Sequence, residues 1–215
     1  MFTLLASLAL ADEPVDIGVL KNSDIRVVQK VLYKKEGRLE LGAGLGVMPF
    51  DGFTVAPQLA LSGTMHLSEK IGVELQVGGG YGLKTARYEL LESAAYGVAV
   101  EAYRYLASVE ADVQWTPIYA KMNLGNGTIL HHDVYALVGA GLTLEQSVFP
   151  SADLAFAPTF PVGIGARIFL SDKLALKAEF RDNLMYEYRA TSQTGAFKQN
   201  PAVMVGISMF GQGKR

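Results

Sequence analysis

The sequence predicts an all-β protein, an eight-stranded antiparallel up-and-down transmembrane β-barrel behind a short periplasmic N-terminal segment. Three observations carry that prediction. First, apolar and small-or-polar residues alternate from about residue 38 to residue 210. In residues 53–67, Phe53, Val55, Pro57, Leu59, Leu61, Met65 and Leu67 share one parity; Thr54, Ala56, Gln58, Ala60, Ser62, Thr64 and His66 share the other. A strand sends successive side chains to opposite faces, so one face suits lipid and the other water. Second, the segments repeatedly reach the roughly 9–11 residues that a tilted strand needs to cross a bilayer. Third, half of the residues are hydrophobic and the mean hydropathy is +0.21, yet no apolar run reaches the roughly 18 residues of a membrane helix. High apolar content without a helical span is the mark of a barrel, whose lipid-facing residues are interleaved with interior ones.

Composition narrows the remaining classes. The 23 glycines suit a narrow, filled lumen. A net charge of −2 argues against a nucleic-acid partner. The absence of cysteine excludes a disulfide framework and a thiolate metal site.

Residues 1–11, MFTLLASLALA, read as the tail of a secretory signal peptide, with Ala9-Leu10-Ala11 as a small-residue cleavage site before Asp12. The basic residues that open such a leader are missing, which points to a start further upstream. The competing reading is a short buried helix, stopped by Asp12, Glu13 and Pro14. Residues 12–37 are charged, lack membrane patterning and read as a periplasmic lead-in. It holds either a short helix capped near Asn22 or Ser23 or a short strand through Ile25, Val27, Val28, Val31 and Leu32. The barrel takes residues 38–211.

The first strand, about 38–48, puts Leu39, Leu41, Ala43, Leu45 and Val47 outward and Glu40, Gly42, Gly44 and Gly46 inward. A tight connection at Pro49–Gly52 leads to the second, 53–67. Ser68-Glu69-Lys70 turns the chain into the third, 71–84, with Ile71, Val73, Leu75, Val77, Gly79, Tyr81 and Leu83 outward. Residues 85–105 are expected as a long loop. The fourth strand, about 106–121, sends Val109, Val113, Trp115 and Tyr119 outward. Leu124-Gly125-Asn126-Gly127 signals a turn into the fifth, 132–144. A loop over 145–158 precedes the sixth, 159–170, and Ser171-Asp172-Lys173 is a tight turn into the seventh, 174–186. A loop over 187–200 leads to the eighth, 201–210, with Val203, Val205, Ile207 and Met209 outward.

Short turns after the second, fourth and sixth strands, against long loops after the third, fifth and seventh, orient the barrel. Outer-membrane barrels of Gram-negative bacteria keep short turns in the periplasm and longer loops outside, so the first strand ascends from the periplasm. Phe53, Tyr81, Phe160 and Tyr186 then fall near the outer rim and Trp115, Tyr119 and Phe210 near the inner one, as two aromatic belts. Pro117 and Pro161 lie near rims, where a lost ladder bond is tolerable; Pro57 sits deeper and calls for a bulge.

Three stretches resemble an outer-membrane β-barrel family of myxobacteria and related deltaproteobacteria: SDIRVVQKVLYKKEGRLEL at 23–41, WTPIYAKMN at 115–123 and HDVYALVGAG at 132–141. The family's Pro-x-Tyr-Gly-Lys pattern is matched at Pro117, Tyr119 and Lys121, with Ala120 in place of its glycine. Some relatives are associated with gliding-motility machinery of the envelope, so the resemblance implies a scaffold role.

The predicted lumen carries Glu40, Glu74, Glu110, Asp112 and Glu179 against Lys84, Arg167, Lys177 and Arg181. Desolvated charges must be paired, and eight-stranded barrels are narrow enough to be filled by side chains. An ion-paired filling is the plain expectation; a narrow water-lined conduit is the competing one. His66, His131 and His132 are the only histidines and fall at the periplasmic rim, away from outer-leaflet lipid. Neighbouring His131 and His132 point to opposite faces. No catalytic residue, metal site or cofactor is expected. Gly42-Ala43-Gly44-Leu45-Gly46 has strand periodicity and no following helix, so it makes no nucleotide loop. In the 85–105 loop, Arg87, Tyr88, Tyr96, Tyr103, Arg104 and Tyr105 are residue types enriched at binding hot spots, and equally ordinary at a lipopolysaccharide-facing rim.

The expected function is therefore a non-enzymatic scaffold barrel in the outer membrane. Its partners would be membrane lipid, lipopolysaccharide and envelope proteins met through the extracellular loops or residues 12–37. The alternative is a small pore or a lipid- or ligand-handling barrel.

Overall fold

A computed structural model describes residues 33–50, 52–123, 129–149, 151–189 and 194–212. The expected signal peptide, the lead-in up to residue 32 and the turn at 124–127 lie outside the described residues. The elements are β1 (Leu39–Phe50), β2 (Thr54–His66), β3 (Ile71–Gly80), β4 (Leu83–Lys84), α1 (Ala86–Glu92), β5 (Tyr103–Asn123), β6 (Ile129–Ser147), β7 (Leu154–Phe169), β8 (Leu174–Arg189) and β9 (Thr194–Phe210).

Each long strand pairs antiparallel with its chain neighbours, and β1 pairs with both β2 and β9. That last pairing closes eight long strands into a ring, with the two-residue β4 attached to β2. Closure follows from the alternating sequence, because a ring leaves no strand edge unpaired in lipid. Exterior positions such as Leu41, Leu61, Leu75, Val113, Ile164 and Ile207 are exposed. The opposite parity is buried and lines the lumen.

Where prolines fall, the ladder gives way. β2 meets β3 from Gln58 downward and β4 at Val55 and Thr54, with no rung opposite Ala56 and Pro57. The bulge expected at Pro57 is not there; register resumes unchanged, and the missing N–H splits one predicted strand into β3 and β4. A similar gap lies opposite Phe160 and Pro161 between β6 and β7. β5 bulges twice against β6: Leu106 is an extra residue between Tyr105 and Ala107, and at Thr116–Pro117 two β5 residues face one of β6. An extra residue inverts the parity beyond it.

The second bulge corrects one expected position. Trp115 and Ile118 both face outward, and Tyr119 turns into the lumen, where its hydroxyl accepts from the Tyr33 amide at 3.2 Å. Phe210 is likewise interior: it is 4% exposed and packs on Phe169. It carries the parity of Ser208, opposite to that of Met209.

The expected loops are also shorter than predicted. β5 starts at Tyr103, β6 reaches Ser147, β7 starts at Leu154, and β8 and β9 run to Arg189 and from Thr194. Most of 145–158 and 187–200 is thus paired hairpin. Within 85–105 lies α1, capped by the Thr85 hydroxyl accepting from the Tyr88 amide.

Candidate functional site

The lumen is built in layers. At the end with the short turns, Phe169 and Phe210 pack with Ala175, and Tyr33 and Tyr119 lie against them. His131 meets the Tyr33 ring edge-on at 4.9 Å, and His66 stacks on Phe210 at 5.7 Å. Five residues of the lead-in enter this layer. The Lys35 and Glu36 amides donate to the Glu69 carboxylate, and Gly37, at φ 71°, donates to the His66 carbonyl at 2.8 Å. The Lys35 ammonium then reaches up into the lumen, 2.6 Å from Asp133. Burial pulls its pKa below that of free lysine, and the Asp133 carboxylate offsets this only in part.

Above lie the charged layers. Fully buried Arg167 donates to Glu40 at 3.1 Å and to Asp133 at 3.3 Å, and also to Gln114. Its guanidinium rests 4.2 Å from the Tyr135 ring centroid. His66 completes Glu40 at 2.8 Å. One layer up, Lys177 pairs with Glu74 at 2.7 Å and Glu179 at 3.4 Å. Arg181 joins Glu179 at 2.6 Å, Asp112 at 3.2 Å and Glu74 at 3.4 Å, and also pairs with Glu110. Thr64 donates to Glu74 at 2.8 Å and Tyr135 to Glu179 at 2.6 Å. Six carboxylates (Glu40, Glu74, Glu110, Asp112, Asp133, Glu179) therefore share four cations (Lys35, Arg167, Lys177, Arg181) and several neutral donors. Such a network avoids the large cost of stranding a desolvated charge.

Towards the other end an apolar cluster lies among buried polar residues, including Thr143, Glu145, Thr159, Asn183, Glu187 and Asn200. Met48, Phe50, Ala56, Tyr103, Tyr105, Ala157, Met185 and Ala202 form one buried cluster. Beside Lys177, Glu179 and Gln76, under the glycines of β1, a cavity of about 20 Å³ remains, room for about one water molecule.

All eight residues predicted for the interior charges, Glu40, Glu74, Glu110, Asp112, Arg167, Lys177, Glu179 and Arg181, lie in this lumen. Lys84 does not: it sits at the rim, pairing with Glu92 at 2.8 Å and lying over Tyr88. Asp133, Lys35 and Tyr135 join the network without having been predicted there, while Gln114 and His66 lie on the interior parity expected of their strands. The parity of β6 could have placed Asp133 and Tyr135 inside, since both alternate with outward Val134 and Ala136. Lys35, from an unpatterned segment, gave no such signal.

Among the expected belt residues, Tyr81, Trp115, Phe160 and Tyr186 are exposed on the exterior and Phe53 is partly buried. Of the expected loop residues, Tyr88 and Tyr103 are buried, and Tyr103 and Arg104 belong to β5. Arg104 lies over the Tyr81 ring and donates to its hydroxyl. Arg87 and Tyr96 are exposed.

Above the ring the wall divides. β7 and β8 part after Thr159 and Met185, while β6–β7 pairing continues to Gln146–Leu154 and β8–β9 pairing to Arg189–Thr194. The two arms carry exposed Leu154, Phe156, Tyr188 and Phe197, with Phe156 71% and Phe197 68% accessible. Among the described residues, no group of three or more His, Asp or Glu could hold a metal ion.

The family model of the outer membrane protein beta-barrel domain matches residues 28–205. Among solved structures, the N-terminal β-barrel domain of Pseudomonas aeruginosa OprF is similar at TM-score 0.53 and 11% identity, covering 82% of this chain and 98% of that one. Ail, the attachment invasion locus protein of Yersinia pestis, gives TM-score 0.47 at 14% identity over 82% and 99%. P. aeruginosa OprG gives TM-score 0.47 at 14% identity over 83% and 98%. No curated protein matches the chain.

Proposed function

Because the chain belongs to the outer membrane protein beta-barrel domain family and resides in the outer membrane, we propose that it is a non-enzymatic scaffold barrel of an envelope complex. One observation carries this reading: the lumen is filled end to end while the aromatic side chains of the two arms stand exposed. A filled lumen offers no conduit, whereas exposed aromatic clusters rimmed by polar residues suit a protein partner. With the short turns in the periplasm, the arms project outward and the lead-in enters from the periplasmic side. Tyr81, Trp115, Phe160 and Tyr186 then anchor the barrel at the two membrane interfaces, with lipopolysaccharide around the outer one. The resemblance to the deltaproteobacterial family makes gliding-motility machinery the first complex to test.

Cross-linking in native envelope, followed by detergent extraction, tests this. Wild type is expected to carry a partner that is lost when Phe156 and Phe197 are both changed to serine, with the barrel still folded. Steady ohmic conductance of the purified protein in planar bilayers would overturn the reading in favour of a pore.

A further inference from the structure

Asp182 is an acid on the wrong face. Along β8, Lys177, Glu179, Arg181 and Asn183 are lumenal, so Asp182 shares the exterior parity of Leu176, Ala178, Phe180 and Leu184. Its register partners are Val162 and Pro201, and proline has no N–H to offer. Its Oδ1 is covered and has no hydrogen-bond partner. Eight residues of tilted strand put it about 19 Å above Leu174 in an apolar band about 25 Å tall. Leu184 and exposed Tyr186 follow above it, which keeps it in the outer-leaflet half. An ionisable group at such a depth marks a functional site more often than a structural one.

Directly beneath it the exterior is recessed. Ala166 on β7 and Ala178 on β8 face each other between bulkier Ile164, Ile168, Leu176 and Phe180. Two adjoining apolar hollows of about 330 and 270 Å³ share Ala166, Ala178 and Val205. The upper one ends at Phe180 and Val203, two register positions below Asp182 and Pro201 on the same face. An apolar trough thus runs along the strands and stops short of Asp182, which is half-buried and whose Oδ2, unlike Oδ1, is not covered.

We propose that this face binds an outer-leaflet lipid whose acyl chain carries a hydrogen-bond donor at its root, an amide N–H or a chain hydroxyl. The trough takes the chain and Asp182 takes the donor. Ester-linked glycerophospholipids present only acceptor oxygens at that depth, which offer the Asp182 oxygens no donor. Lipid A, with amide-linked and hydroxylated acyl chains, has the required chemistry.

Native mass spectrometry of the detergent-folded barrel tests this, with lipid A and phosphatidylglycerol offered in competition. Wild type is expected to retain lipid A about tenfold over phosphatidylglycerol, the equivalent of one hydrogen bond. Asp182→Val, an apolar change on a lipid-facing position, should fold as judged by heat-modifiable gel migration and lose that preference. Ala178→Phe fills the trough and should lose it too. Equal retention of both lipids by wild type, or a preference that survives Asp182→Val, overturns the proposal. A wild-type dimer in detergent that disperses on Asp182→Val also overturns it, and assigns the face to a second copy of the chain.

Discussion

The Tyr135 ring lies against the bare backbone of Gly165, its register partner on β7. A Cβ at residue 165 would clash with the hydroxyl end of that ring. The close approach lets the ring lie flat against the wall, with Arg167 above it at 4.2 Å and its hydroxyl donating to Glu179. One glycine therefore positions a tyrosine that links the lower and upper charged layers. Gly165→Val should displace the ring and cost about 1–3 kcal/mol in overpacking. Tyr135→Phe, which keeps the ring but removes the donor to buried Glu179, should cost about 1–3 kcal/mol. Urea unfolding in detergent measures both, and an unchanged midpoint for Gly165→Val would contradict the packing described.

Leu61 and Gln58 sit on opposite faces of β2, the former exposed and the latter lumenal. Near mid-membrane an arginine on the lipid face costs about 2–4 kcal/mol. Leu61→Arg should therefore impair assembly into bilayers, scored by the heat-modifiable fraction, far more than Gln58→Arg, whose long side chain reaches polar neighbours. Equal impairment would mean that the lipid face has been misassigned.

Much of this was legible from residue parity. Alternation set the two faces of every strand, so Glu74, Glu110 and Arg181 were placed inside, and Leu61 outside, from sequence alone. Parity fails where the chain gains a residue. Nothing in Thr116-Pro117 states that two residues will face one, and so Tyr119 was expected on the wrong side. Hydropathy also understated the strands above the membrane, because Ser147, Glu187 and Lys198 pair as well in a solvated hairpin as apolar residues do in lipid. Lys35 was invisible for a different reason: its place depends on Glu69, Asp133 and Tyr119, which only closure of the ring brings near it. Asp182 carries the outward parity of β8 in the sequence itself, yet a lipid-facing acid fits no barrel pattern, so parity alone assigns it no role.

Lys35 balances two opposed effects, the cost of burying its ammonium and the attraction of Asp133. Removing one partner of a buried pair ordinarily costs about 3–5 kcal/mol, but here Asp133 keeps Arg167 as a partner and the burial of the Lys35 ammonium is relieved. Lys35→Met should therefore shift the urea midpoint little. Lys35→Glu sets a carboxylate against Asp133 and should expel the segment from the barrel mouth. Limited proteolysis would report this as new cleavage near residues 33–37 in a barrel that remains heat-modifiable. Protection of that segment in Lys35→Glu would show that backbone contacts with Glu69 and His66 hold it unaided.

Arg167 is the member of the network with no substitute. Among the described residues it alone pairs with both Glu40 on β1 and Asp133 on β6, with Lys35 joining Asp133 from the edge. Arg167→Met leaves those two carboxylates short of a counter-charge, and removing one partner of a buried pair costs about 3–5 kcal/mol. Adding Glu40→Gln should restore part of the loss, because the remaining Asp133 still has Lys35 and one uncompensated charge is gone. The restoring step separates an electrostatic role from simple loss of volume, which a second substitution at Glu40 would not repair. In planar bilayers both variants should stay closed, since the aromatic layer below and the Met48–Phe50–Tyr105 layer above do not depend on Arg167. Channels that appear in Arg167→Met and vanish again with Glu40→Gln would show instead that the ion pairs, and not the apolar layers, are what seal the lumen.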